Sequence, residues 1–312
     1  MSKVVSIRKA IMENVKDGDV VYIGGLVHAE PYFAVHELIR QGKKNLTIST
    51  AGATLWGDML VGAGCVDRMI TTYTWNPVPM AGHCFRRAIE KGVPRPLEME
   101  EYSVLALGLA YFAGSMGLPF IGTKTMLGSD MLSQNGFMND KKIKEIDSPF
   151  TGERSLAIAP VTHDVGIVQV QRCDPQGNAQ AWGCKAITTH GMNACKQLIV
   201  CAEEIVPNEV IKRDPDRTVV PGFKTSAVVE APWGGYPSFM QGYYDRDWKF
   251  FPRYARQTAT EDGMNRYLDE WVYGVNDHEA YLNKIGTEKR RMLSSIKKDT
   301  GTISYGYHDR FI

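Results

Sequence analysis

Two adjacent glycines separate a strand-like from a helix-like segment in DGDVVYIGGLVHAEPYFAVH, residues 17–36, and of all residues in the chain they offer the clearest ligand chemistry. Asp17-Gly18-Asp19 is turn-forming, Val20-Val21-Tyr22-Ile23 is β-branched and aromatic, and Pro31 pre-sets φ for the first turn of a helix. Gly24 and Gly25 let a ligand approach the main chain, and the helix N-terminus behind them carries unpaired N–H groups and a partial positive charge. The expected ligand is an anion, phosphate or carboxylate. A tight strand-to-helix turn without a ligand reads the same residues equally well. The dinucleotide fingerprint is excluded, because GGLVHAEP lacks the third glycine and no acidic residue stands about 20 positions on to hold a ribose.

Other reactive side chains are less organised. His28 and His83 are acid–base groups in principle, but neither has a partner visible in the sequence, and a lone histidine is more often structural. Arg86-Arg87 suit phosphates and a solvated helix face equally. Cys65, Cys84, Cys173, Cys184, Cys195 and Cys201 form no Cys-x-x-Cys pair, which fits reduced thiols. Cys184, His190 and Cys195 lack the paired short spacing of a closed zinc site, so no metal is expected.

The elements that must position these residues alternate. Val5, Ile7, Ile11 and Val15 predict an opening helix, the quoted strand and helix Tyr32–Gln41 follow, and Leu46–Thr50 (LTIST) is a strand ending in the small-residue turn Ala51-Gly52-Ala53. Asp67–Thr74 reads as a strand, Phe85–Lys91 as a helix, Tyr102–Met116 as a long apolar helix and Leu118–Thr123 as a strand. Leu156–Pro160 and Val165–Arg172 are further strands, and Asp174-Pro175-Gln176-Gly177-Asn178 turns the chain into a hairpin returning through Ala179–Trp182. Gln197–Val206 and Thr225–Glu230 complete the strands. The expected fold class is therefore α/β: an open, mostly parallel but mixed sheet with helices on both faces. It forms a single domain over residues 1–312, with a polar flap or insert at 135–150 and a helical C-terminal extension at 261–312.

Composition sets the outer limits. A chain of 312 residues buries a core without disulfides or a structural metal. With 36 basic and 35 acidic residues its net charge is +1, which suggests neither a nucleic-acid nor a membrane surface. The N-terminus interleaves charges with apolar residues, unlike a secretory signal. The longest apolar stretch, Val104–Phe120, is broken by Gly108, Gly114, Ser115, Gly117 and Pro119, so it reads as a buried helix and the expected location is the cytoplasm.

Collinear motifs say more. The run from Gly18 to Gly25, Arg40-Gln41-Gly42, Gly57–Leu60, Met99–Ser103, Gly117–Phe120, Gly128-Ser129, Cys173–Asn178 and Cys201–Ile205 resemble family I CoA-transferase α subunits, as do Ala231–Ser238 and Trp271–Gly286. The likeness is to the glutaconate CoA-transferase type and spans about nine-tenths of the chain. It implies a heteromeric enzyme in which a separately encoded β subunit supplies the main nucleophile, a glutamate. That glutamate would pass through an acyl–glutamyl anhydride to a glutamyl-CoA thioester, splitting one hard exchange into two reversible steps. The CoA thioester is a substrate, and no permanently bound cofactor is implied. This chain would supply pocket residues and main-chain donors for the developing oxyanion, with Gly24, Gly25, Leu26, Asn76, Lys124, Gly128 and Ser129 as the substrate-binding candidates.

Departures from the family bear on the substrate. Asn76-Pro77 stands where glutaconate enzymes look to carry a small hydroxyl residue, and Leu127 where they look to carry glutamine, which counts against glutaconate itself; Trp75, Pro77 and Pro79 suit a larger or more apolar acid and a rigid surface loop equally. Ser133-Gln134-Asn135-Gly136 resembles the box that carries the β-subunit nucleophile, but an amide at Gln134 cannot form the anhydride, so it reads as a surface loop. Glu98-Met99-Glu100-Glu101, with Lys124 ahead of Gly128, is similar to CoA-dependent ring-opening hydrolases of the superfamily, where an α-subunit glutamate works with a basic residue. That resemblance makes Glu101 the candidate catalytic residue of this chain, a base on water beside Lys124. The plainer reading places Glu101 in the first turn of the Tyr102–Met116 helix, where an acid offsets the macrodipole.

Overall fold

The computed structural model describes residues 2–26, 28–74, 82–133 and 136–295. Helix α1 (Ile7–Asn14), capped by the Ser6 hydroxyl accepting from the Lys9 N–H, leads into β1 (Val20–Ile23). Helix α2 (Tyr32–Arg40), β2 (Leu46–Ser49), α3 (Leu55–Gly62), β3 (Val66–Thr71), α4 (His83–Lys91), β4 (Glu98–Glu101) and α5 (Val104–Met116) follow in strict alternation. Three strands come next, β5 (Ile121–Thr123), β6 (Ile143–Asp147) and β7 (Arg154–Ile158), then the long β8 (His163–Cys173) and the short β9 (Ala179–Gln180). The remainder is α6 (Thr188–Asn193), β10 (Cys195–Ile205), α7 (Asn208–Arg213), β11 (Thr218–Val220) and β12 (Thr225–Glu230), then α8 (Phe250–Gln257), α9 (Glu261–Leu268), a π-helical turn at Asp269–Tyr273, α10 (His278–Ile285) and α11 (Thr287–Leu293).

The main sheet has nine strands and is mixed, as expected. Strands β1 to β4 step outward in one direction as parallel neighbours, β8, β10 and β12 step outward in the other, and β1 pairs with β8. The β8–β9 hairpin carries β11 on its far edge, antiparallel. Val21 and Ile23 face one core beneath α1 to α4 and the C-terminal helices, whereas Tyr22 faces a second core beneath α5 and α6. That alternation, both faces buried, is what a central parallel strand requires.

Three places differ from the sequence expectation, and one helix has no counterpart in it. Leu55–Gly62 is a helix although two glycines interrupt it, because seven of its eight residues are buried between layers. Glu98–Glu101 is the edge strand beside β3, and α5 starts only at Val104 with Ser103 as its cap, so Glu101 ends a strand instead of opening a helix. The stretch 135–150 contributes β6 to a separate antiparallel sheet of order β5-β7-β6, which extends from Ile121 to Ile158. The helical C-terminal region runs from Phe250, earlier than Glu261. No helix of the described residues is long and apolar enough to cross a membrane.

Candidate active site

The strand order reverses between β1 and β8, and in open α/β sheets the crevice beyond the carboxyl ends of such a pair is the usual ligand site. Gly24 and Gly25 lie there. The Gly24 N–H still belongs to the ladder, donating to the Ile167 carbonyl at 2.9 Å. Gly25 leaves it with φ +93°, and a Cβ on it would stand 2.7 Å from the Ala29 carbonyl oxygen and 2.8 Å from that of His28. The loop thus curls on itself in a conformation only glycine adopts freely. Among the described residues the Gly25 N–H has no hydrogen-bond acceptor, while Leu26 donates to the His28 carbonyl at 3.3 Å.

Three neighbours hold the loop in place. Ala29 donates to the Phe239 carbonyl at 3.1 Å, and the His28 ring lies 4.8 Å from that of Phe239. His28 Nε2 accepts the Gln241 N–H at 3.1 Å, so the ring proton sits on the other nitrogen, which bonds the Cys184 carbonyl. Burial first of all, with the nearby Arg246 charge, pushes the imidazole down to about 4 despite the Cys184 bond. His28 is a neutral pin between three loops, not an acid–base group at neutral pH. Glu30 is fully buried and its Oε1 accepts from Thr54 Oγ1 at 2.6 Å and Trp56 Nε1 at 3.1 Å. Burial raises its pKa against the pull of the Thr54, Ser238 and Trp56 bonds and the Arg246 charge.

Other strand ends converge on the same crevice. Gly52, after β2, sits so close to Tyr73, after β3, that a Cβ would come within 2.7 Å of the tyrosine ring. Gly183, on the return from the β8–β9 hairpin, would collide with the Gln241 side chain at 2.4 Å. Beside Gly25 a small, mainly apolar recess is lined by Val168, Val170, Ala181 and Met192, together with Cys184, Lys185 and Thr188. The Thr188 hydroxyl is buried there with no hydrogen-bond partner among the described residues. Sequence reasoning misses Glu30, Gly52, Tyr73, Gly183 and Thr188. Only the small-residue turn Ala51-Gly52-Ala53 carries a local signal for any of them.

The remaining candidates separate into a second group at the sheet edge. Lys124 Nζ is 2.9 Å from Glu153, and both side chains are more than half exposed. The Gly128-Ser129 turn is exposed, with Ser129 Oγ donating to the Met126 carbonyl at 2.7 Å. Asn76 and Gln134 lie outside the described residues. The expected Glu101–Lys124 pairing is corrected: strand alternation turns Glu101 to solvent and Glu100 inward, where Lys142 meets it at 2.7 Å. Lys142 also donates to the Glu101 carbonyl and stands 4.5 Å over the Tyr102 ring, and Glu100 accepts the Met138 N–H at 2.8 Å. Among the described residues no group of three or more His, Cys, Asp or Glu side chains is arranged to hold a metal ion.

A doubly wound sheet with glycine-built main chain at its switch point defines an α/β protein with a crevice at the strand ends, the usual ligand site of such sheets. The chain belongs to the Coenzyme A transferase family, which matches residues 4–231. It is 35% identical to one of the subunits of 3-oxoadipate CoA-transferase from Pseudomonas knackmussii, over 93% of this chain and 100% of that protein. It is 36% identical to one of the subunits of glutaconate CoA-transferase from Acidaminococcus fermentans, over 99% and 98%. The crystal structure of the glutaconate coenzyme A-transferase from Acidaminococcus fermentans matches with a TM-score of 0.88 at 35% identity, covering 95% of this chain and 96% of that one.

Proposed function

We propose that this chain is the α subunit of a two-subunit CoA-transferase that moves CoA between an acyl-CoA and a free carboxylic acid through a glutamyl-CoA thioester on its companion. The observation that carries the reading is the Gly25 amide beside the recess at the switch point, a donor with no acceptor among the described residues. A companion carboxylate attacks the thioester carbonyl, and the electron pair of the breaking C–S bond leaves with CoA thiolate, giving a mixed anhydride. The thiolate then attacks the glutamyl carbonyl, releasing the first acid and leaving glutamyl-CoA. A second carboxylate runs both steps backwards. In each tetrahedral intermediate the Gly25 N–H faces the oxyanion.

3-Oxoadipate and glutaconate, for which the two relatives are named, are both dicarboxylates, which makes a dicarboxylic acyl-CoA the first substrate to try. Hydrolysis by Glu101 with Lys124 is disfavoured by geometry, since Lys124 is engaged with Glu153. The test is to co-express the chain with its companion, incubate the complex with a panel of acyl-CoAs and acetate, and trap with borohydride or hydroxylamine. A glutamyl adduct on the companion, with CoA appearing on acetate, supports the transferase. Free CoA without an adduct, lost on Glu101→Ala, overturns it in favour of the hydrolase.

A further inference from the structure

Of the six cysteines in the chain, five are buried. Burial pushes the thiols of Cys65, Cys84, Cys173, Cys195 and Cys201 up, and a buried, protonated thiol is inert because the thiolate is the nucleophile. Cys184 is the exposed one, and it lines the recess at the candidate site. Its main chain is fixed there. The His28 ring bonds its carbonyl, and a Cβ on the preceding Gly183 would stand 3.2 Å from that ring. Burial, Glu30 and then Cys184 raise the Tyr73 pKa, so the thiol is also within electrostatic reach of that side chain.

An exposed cysteine alone marks no site, but the recess around this one supplies independent signs of a ligand. Its volume is about 20 Å³, room for about one water-sized group and not for an acyl chain. Two groups that line it are hydrogen-bond donors with no acceptor among the described residues: the Gly25 N–H, and the hydroxyl of Thr188, a residue only 7% exposed. Buried polar groups in native proteins find partners, so these donors call for an acceptor from outside the chain. A carbonyl oxygen is one atom with two lone pairs, and it places an electrophilic carbon next to the recess. We propose that Cys184 is an acylation site: the recess takes the carbonyl oxygen of an acyl-CoA, accepting from Gly25 and Thr188, and the Cys184 sulfur adds to the carbonyl carbon. The inference rests on the function proposed above, which brings acyl-CoA to Gly25. The bond from Cys184 Sγ to the acyl carbon forms, the C–S bond to CoA breaks, and its electron pair leaves on CoA thiolate, which takes up the proton given up by the Cys184 thiol. One thioester replaces another, so no oxidant or further reactant is needed, and free CoA runs the step backwards. While the acyl group stays on this chain it occupies both donors.

The test incubates the co-expressed complex with adipoyl-CoA, a dicarboxylic thioester, with and without acetate, then separates the chains in acid and weighs them by mass spectrometry. The expected result is one adipoyl group on this chain, at Cys184 in the peptide map, released by neutral hydroxylamine and absent from Cys184→Ala. Phe223→Cys in the Cys184→Ala background puts a thiol at an 83% exposed position elsewhere, and it should acylate at least 10-fold more slowly. Thr188→Val and Gly25→Ala should each slow acylation of Cys184 at least 10-fold, and if one of them melts early the other decides. Equal rates at Cys184 and at the thiol placed at position 223 overturn the site, as does acylation of Cys184 that neither recess variant slows. Absence of any adduct on this chain overturns it too. In that case a glutamyl adduct on the companion, with CoA appearing on acetate, leaves the proposed function standing, and failure of that transfer removes both.

Discussion

Replacing Gly25 by alanine separates a main-chain oxyanion donor from a mere turn. The new Cβ would lie 2.7 Å from the Ala29 carbonyl oxygen, some 0.7 Å inside the 3.4 Å at which ordinary contact begins, and 2.8 Å from that of His28. Both obstacles are main chain, held by the Ala29–Phe239 and Gln241–His28 bonds at 3.1 Å each. The loop must therefore move by several tenths of an ångström. A non-glycine residue at φ +93° adds about 1–3 kcal/mol of strain, a melting shift of a few degrees in a chain of this size. An amide displaced from about 2.9 Å to beyond about 3.5 Å no longer hydrogen-bonds, and loss of one oxyanion donor costs about 10²–10³ in kcat, or about 2.7–4 kcal/mol. The assay is the initial rate of CoA transfer to acetate by the assembled complex, read by chromatography beside thermal melts. Gly62→Ala is the control: its Cβ would stand 2.8 Å from Cys84 Sγ, between α3 and α4, so it should melt early with unaltered kcat. If Gly25→Ala lowers the melting temperature but stays within threefold of wild-type kcat, the amide takes no part in the reaction.

Tyr73→Phe should lower kcat/KM by roughly 2–10-fold, the worth of one ordinary hydrogen bond, and unchanged kcat/KM would remove the hydroxyl from the substrate's path. Lys142→Met leaves Glu100 fully buried without its ion-pair partner, so urea denaturation should show a loss of about 3–5 kcal/mol, most of it recovered in Lys142→Met/Glu100→Gln; a loss below about 1 kcal/mol would refute the buried pair. His36 is buried with neither ring nitrogen bonded among the described residues, and burial, reinforced by Arg40, pushes its pKa down to about 3. As pH falls from 6.5 towards 3 the unfolded chain takes up a proton that the folded chain refuses, so this group's contribution to stability is lost across that window. His36→Leu should therefore lose less stability than wild type between pH 7 and pH 5, by about 2 kcal/mol; parallel profiles would refute it.

How far the sequence reveals the site depends on what fixes each residue's role. Gly24, Gly25 and the Asp174–Asn178 turn owe their roles to local backbone conformation, and residue type alone exposes that requirement. The order β1 to β4 follows from the same local alternation. Glu98-Met99-Glu100-Glu101 misleads because three carboxylates argue against a buried strand until Lys142, some 40 residues later, neutralises Glu100. Leu55–Gly62 goes unread because its helicity comes from burial on all sides and not from a periodic face. Glu30 is the deepest case: Thr54 and Trp56 bond it from one layer and Arg246 acts on it from another, so nothing within ten residues marks it. The switch point brings together loops after β1, β2, β3 and β9, and their meeting is a property of topology. A sequence thus announces groups that act through their own main chain. It conceals those whose chemistry is made by a distant partner, as with Glu30 and Glu100.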